Sequence, residues 1–294
     1  MRLRLRETVL EIERGRPLVM GIVNATPDSF SDTPGLVKDI GELAERAHAL
    51  VGAGAAIVDV GGESGRTDSS AITTAEETAR VVPLIERLTG EGVVVSVDTW
   101  RAEPARAALA AGAVMINDVS GLSDPALADL CAEAGAALAV THTRAAPKTK
   151  AFPRYSDVVR DVLAGLRERC LLAARRGLPE EQVLLDPGID LAKTPAQSVE
   201  LLRRLAELEA PGRPLLLAVS RKDFVGALTG RPPAERDAGT LAALEPALDV
   251  AAAVVRVHDV AGAVDFLRVR SALRGDLEPP AGPLSQSLRR EVVA

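Results

Sequence analysis

The sequence predicts an α/β fold, a (β/α)8 barrel of the TIM type that follows a short N-terminal β-hairpin. Short apolar runs without alternation recur along the chain, as in parallel strands that are buried on both faces. An amphipathic segment of helical period follows each run, and this pairing occurs eight times over about 255 residues, as in such a barrel. Polar residues end every run. A doubly wound sheet with fewer strands is the alternative.

The first element is the hairpin. Residues 3–12 alternate between polar and apolar side chains, and the segment Glu13-Arg-Gly-Arg-Pro17 then turns the chain. Alternation followed by Gly and Pro is typical of a short antiparallel pair.

The eight apolar runs predict strands at Leu18–Val23, Ala56–Val60, Val93–Val97, Val114–Ile116, Ala137–Val140, Val183–Leu185, Leu215–Val219 and Ala252–Val257. The segments of helical period predict helices at Asp39–Val51, Thr74–Leu88, Ala102–Ala111, Pro125–Ala134, Asp157–Arg176, Gln197–Leu208, Ala234–Leu248 and Ala261–Leu273. Several of these helices end at glycine, the residue that most readily terminates a helix. These glycines are Gly54, Gly112, Gly135 and Gly177.

No linker or change of composition interrupts the series, which predicts a single domain over residues 1–275. The tail over residues 276–294 is rich in Pro and Ser, and we expect it to be partly disordered.

Composition narrows the class of protein. A formal net charge of -6 and an aromatic content of 2% disfavour a nucleic-acid partner. No apolar run approaches the roughly 18–20 residues of a membrane span, and the start lacks the apolar segment of a signal peptide. Cys131 and Cys170 are far apart, as expected for free thiols in a reducing compartment. The sequence thus predicts a soluble cytoplasmic protein.

Polar residues follow all eight strands, where a barrel of this class carries its chemistry. They include Asn24, Asp59, Asp98, Asn117, His142, Asp186, Ser220, Lys222, Arg256 and His258. Charges inside a barrel are costly unless they are paired or used. Asp118 is interpreted as a local cap, Asp59 as a structural residue beneath the loop, and His48 as a structural residue on the first helix.

The residue types suit a charged heterocyclic ligand. Asp98, Asn117 and Asp186 offer acceptors for adjacent ring N–H groups, such as those of an amino-pyrimidinone. Lys222 offers a cation, and the planar guanidinium of Arg256 can stack on a ring.

A second group suits a diphosphate. Asn24, Arg66 and His258 could hold the anion, and the amide oxygen of Asn24 could bind Mg²⁺. The three histidines are not spaced as zinc ligands.

Several ordered motifs together resemble the dihydropteroate synthase family. They are Val19-Met-Gly-Ile-Val-Asn-Ala-Thr-Pro-Asp-Ser-Phe-Ser-Asp32, Asp59-Val-Gly-Gly-Glu-Ser-Gly-Arg66, Ser96-Val-Asp98, Ile116-Asn-Asp118, Asp186-Pro-Gly188, Ser220-Arg-Lys222 and Arg256-Val-His-Asp259. The resemblance implies a TIM barrel, usually a homodimer. It also implies an enzyme that joins dihydropterin pyrophosphate to p-aminobenzoate or a related arylamine, releases diphosphate, and is inhibited by sulfonamides.

The resemblance also implies residue roles. Asp98, Lys222, Arg256 and His258 would be catalytic, and Asn24 would bind Mg²⁺. The implied substrate-binding residues are Asn24, Gly65, Arg66, Asp98, Asn117, Asp186, Leu191, Ser220, Lys222, Arg256 and His258. The implied mechanism is dissociative: diphosphate leaves first, and the arylamine captures a pterin methylene cation.

The sequence departs from the family pattern in places that cluster. The usual Ser-Thr-Arg-Pro is Ser64-Gly-Arg-Thr67, and the usual Gly-aromatic-Gly-Lys is Asp190-Leu-Ala-Lys193. Asp223 replaces a serine, Thr33-Pro-Gly35 stands where two glycines are common, and Thr141-His-Thr143 replaces Met-His-Met. If Asp190 and Asp223 flank the aminobenzoate site, they repel an anion. We therefore expect weak binding of p-aminobenzoate and weak inhibition by sulfonamides.

Three other functions remain open at this point. One is a divergent pterin-binding homologue with a lost or altered second reaction. Another is a folate-dependent methyltransferase of the same superfamily. The last is a lyase that forms a Schiff base through Lys222, which borohydride would trap.

Overall fold

A two-stranded antiparallel hairpin begins the chain. Strand β1 covers Arg2–Leu5 and strand β2 covers Thr8–Glu11. Leu3 and Leu5 are fully buried, as is Ile12, which follows β2. The predicted hairpin is therefore confirmed.

Eight parallel strands then close into a barrel, in which each strand pairs with the next and the last pairs with the first. The computed structural model describes residues 1–26, 39–65 and 70–283, together with residues 285 and 288. The barrel strands are β3 Leu18–Asn24, β4 Ile57–Gly61, β5 Val95–Asp98, β6 Met115–Asp118, β7 Ala137–Thr141, β8 Val183–Asp186, β9 Leu215–Leu217 and β10 Ala253–Val257. The predicted TIM barrel is confirmed.

Helices lie between the strands. They are α1 Ile40–Gly52, α2 Thr74–Gly90, α3 Ala102–Ala110, α4 Ala126–Ala134, α5 Val158–Arg175, α6 Pro195–Arg203, α7 Asp223–Thr229, α8 Asp237–Ala243 and α9 Val260–Arg274. Side-chain caps begin several of them, including a capping box between Thr194 and Gln197 at α6. Gly275 ends α9 in the left-handed conformation.

Two predicted helices are interrupted. The single helix predicted over Ala234–Leu248 is wrong, because the chain forms α8 between two 3-10 turns, Pro233–Glu235 and Glu245–Leu248. Proline cannot donate a backbone hydrogen bond, and one stands in each turn. Helix α7 was not predicted. The helix predicted over Gln197–Leu208 ends at Arg203 and continues as a 3-10 segment, Leu205–Glu209.

Two apolar clusters determine which end of the barrel is open. The larger one fills the layer between strands and helices. The smaller one joins Leu3, Leu5 and Ile12 of the hairpin to Met20, Met115 and other side chains inside the barrel. Apolar packing therefore closes the amino-terminal end of the barrel, so polar chemistry is left to the carboxyl end.

The predicted tail begins where α9 ends. Residues 276–283 follow it without regular secondary structure, and most of the remaining tail lies outside the described residues. No helix in the described part of the chain is long and apolar enough to cross a membrane.

Candidate active site

The strand register brings predicted site residues to one level of the barrel. Asn24 pairs with Gly61, Gly61 with Asp98, and Asp98 with Asn117, along four consecutive strands. A Cβ on Gly61 would lie 3.5 Å from Asn24 Oδ1 and 3.7 Å from Asp98 Cβ. The side chains of Asn24 and Asp98 therefore approach each other across a glycine.

Arg256 holds the centre of the site. Its Nε donates to Asp59 Oδ2 over 2.6 Å, and its Nη2 donates to Asp98 Oδ2 over 2.7 Å. Asn117 Nδ2 also donates to Asp59 Oδ2, over 2.9 Å. One cation thus bridges the carboxylate of Asp59, within β4, and that of Asp98, at the end of β5. Asp59, interpreted as structural, belongs to this group.

Two acceptors in this group face no protein donor. Asn117 Oδ1 and Asp59 Oδ1 are buried and have no hydrogen-bond partner among the described residues. Because the amide nitrogen of Asn117 is bonded to Asp59, only its carbonyl oxygen is left to face a ligand. Unpaired buried acceptors are costly, which indicates a ligand that brings N–H donors.

Asp186 adds a third acidic side chain. It is buried, and its Oδ1 accepts a hydrogen bond from the backbone N–H of Gly188 over 2.7 Å. Burial raises the pKa of Asp186, while Gly188, Lys222, Lys193 and Arg256 oppose that rise. Lys222 is half-buried, and its positive charge opposes the rise in pKa that burial causes at both Asp186 and Asp98.

Asp98 titrates near neutral pH. Burial raises its pKa to about 7; Arg256 opposes this and the Asp59 carboxylate adds to it. The side chain is still 21% exposed. Asp98 can therefore exchange a proton with a ligand at physiological pH.

Ser220, which follows β9, and His258, which follows β10, form a pair near the carboxyl ends of these two strands. Ser220 Oγ lies 2.8 Å from His258 Nδ1 and accepts a hydrogen bond from the His258 backbone N–H over 3.2 Å. Burial, chiefly, with help from Arg256 and Arg221, lowers the pKa of His258 to about 3. The imidazole is therefore neutral at pH 7.

Two residues of the loop after β8 have a backbone conformation that usually requires glycine, although neither is glycine. Asp190 and Ala192 have φ values of 63° and 53°, in the left-handed region. They occupy the two positions where the family motif usually has glycine. Asp tolerates this region, but Ala is strained in it.

Lys193 holds this loop in place. It is 1% exposed, and its Nζ donates to the backbone oxygens of His142, Gly188 and Leu191 at 3.1, 2.9 and 3.0 Å. A Cβ on Gly188 would lie 1.9 Å from His142 O, so this position requires glycine. The sequence did not predict this role of Lys193, because its three acceptors are backbone atoms, whose positions the sequence does not reveal.

The two acids expected near the second substrate are already partnered. Asp190 Oδ1 accepts from Ser198 Oγ over 2.8 Å, and Asp190 Oδ2 accepts from the backbone N–H of Phe224 over 3.0 Å. The Asp223 side chain is 75% exposed and lies 3.2 Å from Arg236 Nη1. Leu191 is half-buried, and Gly65 is exposed with open space around its Cβ position.

A buried ion network supports the loop after β4, and sequence reasoning missed it. Glu63 accepts from Arg101 Nη1 over 2.5 Å and from Lys148 Nζ over 2.9 Å. Arg101 also pairs with buried Glu77, and Lys148 bonds to Ser70 O over 3.0 Å. This network joins the segments that flank residues 66–69. Arg66 itself, like most of the loop after β3, lies outside the described residues.

The side chains of three further residues have partners outside the group around Arg256. Asp118 accepts from the backbone N–H groups of Ser120 and Leu122, which confirms its interpretation as a local cap. His142 lies 3.2 Å from Asp161 on α5, and His48 lies 2.6 Å from Glu91 at the outer surface.

Comparison with known proteins agrees with this geometry. The family model described as "Pterin binding enzyme" matches residues 20–258. A dihydropteroate synthase from Synechocystis is 40% identical over 262 residues, which cover 88% of this chain and 90% of the relative. The chain belongs to the dihydropteroate synthase family.

Other relatives of this family differ in length. A probable bifunctional folylpolyglutamate synthase/dihydropteroate synthase from Haloferax volcanii is 43% identical over 87% of this chain, but the chain spans only 30% of that protein. The structure of Xanthomonas albilineans dihydropteroate synthase with 4-aminobenzoic acid is 40% identical, with a TM-score of 0.85 over 96% of this chain and 99% of that chain. The same Xanthomonas enzyme is known in complex with 7,8-dihydropteroate. As a dihydropteroate synthase family member, this chain is a transferase.

Proposed function

We propose that this enzyme condenses 6-hydroxymethyl-7,8-dihydropterin pyrophosphate with p-aminobenzoate, giving dihydropteroate and diphosphate. The observation that carries the proposal is the cluster of acceptors at the barrel mouth. Asn117 Oδ1 and Asp59 Oδ1 lack donors within the described structure, and Asp186 stands on a nearby strand. An amino-pyrimidinone ring presents adjacent N–H groups that suit these acceptors.

In the proposed mechanism, the C–O bond between the pterin methylene carbon and the diphosphate breaks first. The bonding electrons leave with diphosphate, so positive charge develops on the pterin. Asp98 and Asp186 stabilise that charge. Burial raises the pKa of both carboxyl groups, and Lys222 opposes this rise and so favours their charged forms. Arg256, which already bridges Asp59 and Asp98, borders the same space.

The arylamine then completes the reaction. Its nitrogen lone pair forms the new C–N bond, and the proton that the nitrogen then loses passes to the released diphosphate. His258 binds the departing diphosphate through a ring N–H, and Arg66 adds a cation to the anion site. A closed site that excludes water would prevent hydrolysis of the pterin cation.

Mg²⁺ fits the oxygen-rich part of this site. Mg²⁺ is commonly bound by one or two protein oxygens together with substrate phosphates and water. Asn24 Oδ1 lies beside the Asp98 side chain across Gly61 and can supply such an oxygen. The ion would supply positive charge to the diphosphate. Within the described residues no cluster of three His, Cys, Asp or Glu side chains could hold a metal, so the substrate would complete its coordination.

The second substrate would bind between the loops after β4 and β8. Gly65 and Leu191 would border this space, and the backbone at residues 188–191 is held by Lys193. The Xanthomonas complex with 4-aminobenzoic acid supports this choice of arylamine. Sulfonamides, which mimic p-aminobenzoate, would compete for the same space.

We also propose a cytoplasmic homodimer. The free thiols of Cys131 and Cys170 support a reducing compartment. Val269 and Leu273 on α9 are 59% and 73% exposed, and Phe266 and Leu241 line a shallow depression of about 420 Å³ beside them. An apolar helix face of this kind suits a second copy of the chain. Sedimentation of wild type and Leu273→Asp tests this; two monomeric samples would contradict it.

Product identity tests the reaction. Purified protein is incubated with Mg²⁺, the pterin pyrophosphate and p-aminobenzoate, and mass spectrometry follows the products. We expect dihydropteroate, and much less of it from Asp186→Asn. Hydroxymethyl-dihydropterin as the main product would instead identify a pterin-binding homologue with an altered reaction. Borohydride trapping of a substrate on Lys222 would identify the lyase.

A further inference from the structure

The hydroxyl of Ser220 is bonded on both sides. It accepts a hydrogen bond from the backbone N–H of His258 over 3.2 Å and lies 2.8 Å from Nδ1 of the same residue. A serine hydroxyl has one hydrogen to donate. Because the backbone N–H can only donate, the serine hydrogen is free to point at Nδ1.

This geometry favours one imidazole tautomer, because among the described residues only Nδ1 lies within hydrogen-bond distance as an acceptor for the Ser220 hydroxyl hydrogen. When Ser220 donates to Nδ1, that nitrogen must be unprotonated, so the proton of the neutral ring is on Nε2. We infer that Ser220 is a positioning residue that holds His258 as the Nε2–H tautomer, a neutral donor for the departing diphosphate. This inference rests on the proposed function for its link to diphosphate, but the tautomer itself does not.

The surroundings of His258 keep the ring neutral, as this tautomer requires. Burial chiefly, and then Arg256 on β10, Arg221 after β9 and Arg46 on α1, oppose a positive charge on the ring, whereas Asp237 on α8 favours it. Nε2 has no hydrogen-bond partner among the described residues and is not fully buried, so it can meet a ligand.

The backbone that carries Ser220 is itself held. Arg221 has a φ of 57°, and its guanidinium donates to both carboxylate oxygens of Asp237, over 2.7 and 2.9 Å. The backbone N–H of Arg221 donates to Thr240 Oγ1 over 2.9 Å. Helix α8 thus anchors the turn after β9, which fixes where the Ser220 hydroxyl can point.

A neutral donor has a functional consequence. Anion binding by His258 does not require ring protonation, so His258 can engage diphosphate equally from pH 6 to 8. It also leaves no extra positive charge next to the pterin cation that the reaction creates. Without the Ser220 hydroxyl, Nδ1 could carry the ring proton. Nε2 would then be an acceptor and could no longer donate a hydrogen bond to diphosphate.

Ring ¹⁵N NMR of the full chain labelled at histidine tests the inference. The chain has three histidines, so His258→Gln assigns the signal. We expect Nε2–H and unprotonated Nδ1 in wild type and in Ser220→Thr, which keeps the hydroxyl. In Ser220→Ala we expect a mixture of tautomers. An Nδ1–H ring in wild type, or an unchanged ring in Ser220→Ala, would overturn the inference.

A second measurement tests the link to diphosphate. Ser220→Ala should weaken diphosphate binding on the order of five- to tenfold, as for loss of one oriented neutral hydrogen bond, and Ser220→Thr should restore it. Diphosphate affinity measured by calorimetry gives the comparison, after thermal unfolding shows that both variants fold. Equal affinity in all three proteins would overturn the role in diphosphate binding. Because neither measurement needs turnover, absence of dihydropteroate synthesis would contradict the proposed function alone.

Discussion

The carboxylate of Asp190 accepts a hydrogen bond from the backbone N–H of Phe224 over 3.0 Å and so ties the loop after β8 to the first turn of α7. Asp190 occupies a position with a φ of 63° where the family usually has glycine. A left-handed aspartate is tolerable because its side chain finds two donors, Phe224 and Ser198. Its negative charge also lies at the amino end of a helix, where it is favourable.

Substitutions at Asp190 should separate these effects. Asp190→Ala keeps the strained backbone but removes both hydrogen bonds, and we expect it to lower the free energy of unfolding by about 2 kcal/mol. Asp190→Gly relieves the strain and should cost ~1 kcal/mol less than the alanine variant. Urea unfolding provides the comparison. If alanine is as stable as glycine, the left-handed strain contributes nothing.

Ala192 carries the second left-handed position, with a φ of 53°. Ala192→Gly restores the usual family residue and should raise the free energy of unfolding by ~0.5–1 kcal/mol. Ala164, exposed in the middle of α5, is the control, because glycine there should lower stability by about 1 kcal/mol. Equal losses at both positions would show that Ala192 is not strained.

The exposure of Asp223 changes the expectation for p-aminobenzoate. A carboxylate that is 75% exposed and paired with Arg236 is screened by water and salt. We therefore expect Asp223→Ser to change the KM for p-aminobenzoate by no more than about twofold. Gly65→Thr, which adds a side chain in open space, is the variant that should lower KM. A large fall in KM for Asp223→Ser would restore the repulsion expected from sequence.

The barrel could be predicted from the sequence because each strand is a short apolar run that ends in polar residues. A strand that is buried on both faces needs several consecutive apolar residues, and such a run can be recognised in a short stretch of sequence. The end of α8 is marked in the sequence only by Pro246, and the helical period over residues 234–248 outweighed that signal.

The residues of the pocket could be assigned, but most of their contacts could not. Asp59 and Arg256 are 197 residues apart, and Ser220 and His258 are 38 apart. The Glu63–Lys148 pair depends on the position of the long loop between β7 and α5, which carries Lys148. Asp190 was expected to face a ligand because sequence shows its charge but not the backbone N–H that binds it.

Asp186 should contribute directly to pterin affinity. Asp186→Asn replaces a charged acceptor by a neutral amide with one acceptor oxygen, and the loss of such a charge-assisted pair is ~1.5–3 kcal/mol. Calorimetry with the pterin pyrophosphate measures it, with Asp223→Asn as an exposed control. Equal affinities for wild type and Asp186→Asn would remove Asp186 from the pocket.

Asp98 should make pterin binding depend on pH. Its pKa is raised to about 7, so the carboxylate that accepts ring N–H groups becomes populated as pH rises through 7. Pterin affinity should therefore increase from pH 6 to 8 in wild type but not in Asp98→Asn. The same shift makes this group's contribution to folding stability fall as pH rises between its usual value of 3.8 and 7. A pH profile that Asp98→Asn leaves unchanged would assign the titration to another group.

The most direct test of the synthase assignment is the rate of diphosphate release from the pterin pyrophosphate, measured with and without p-aminobenzoate by a coupled assay. The account predicts release that is slow with the pterin substrate alone and rises with p-aminobenzoate to saturation, with one dihydropteroate formed for each diphosphate. Release at the same rate whether or not p-aminobenzoate is present would contradict it.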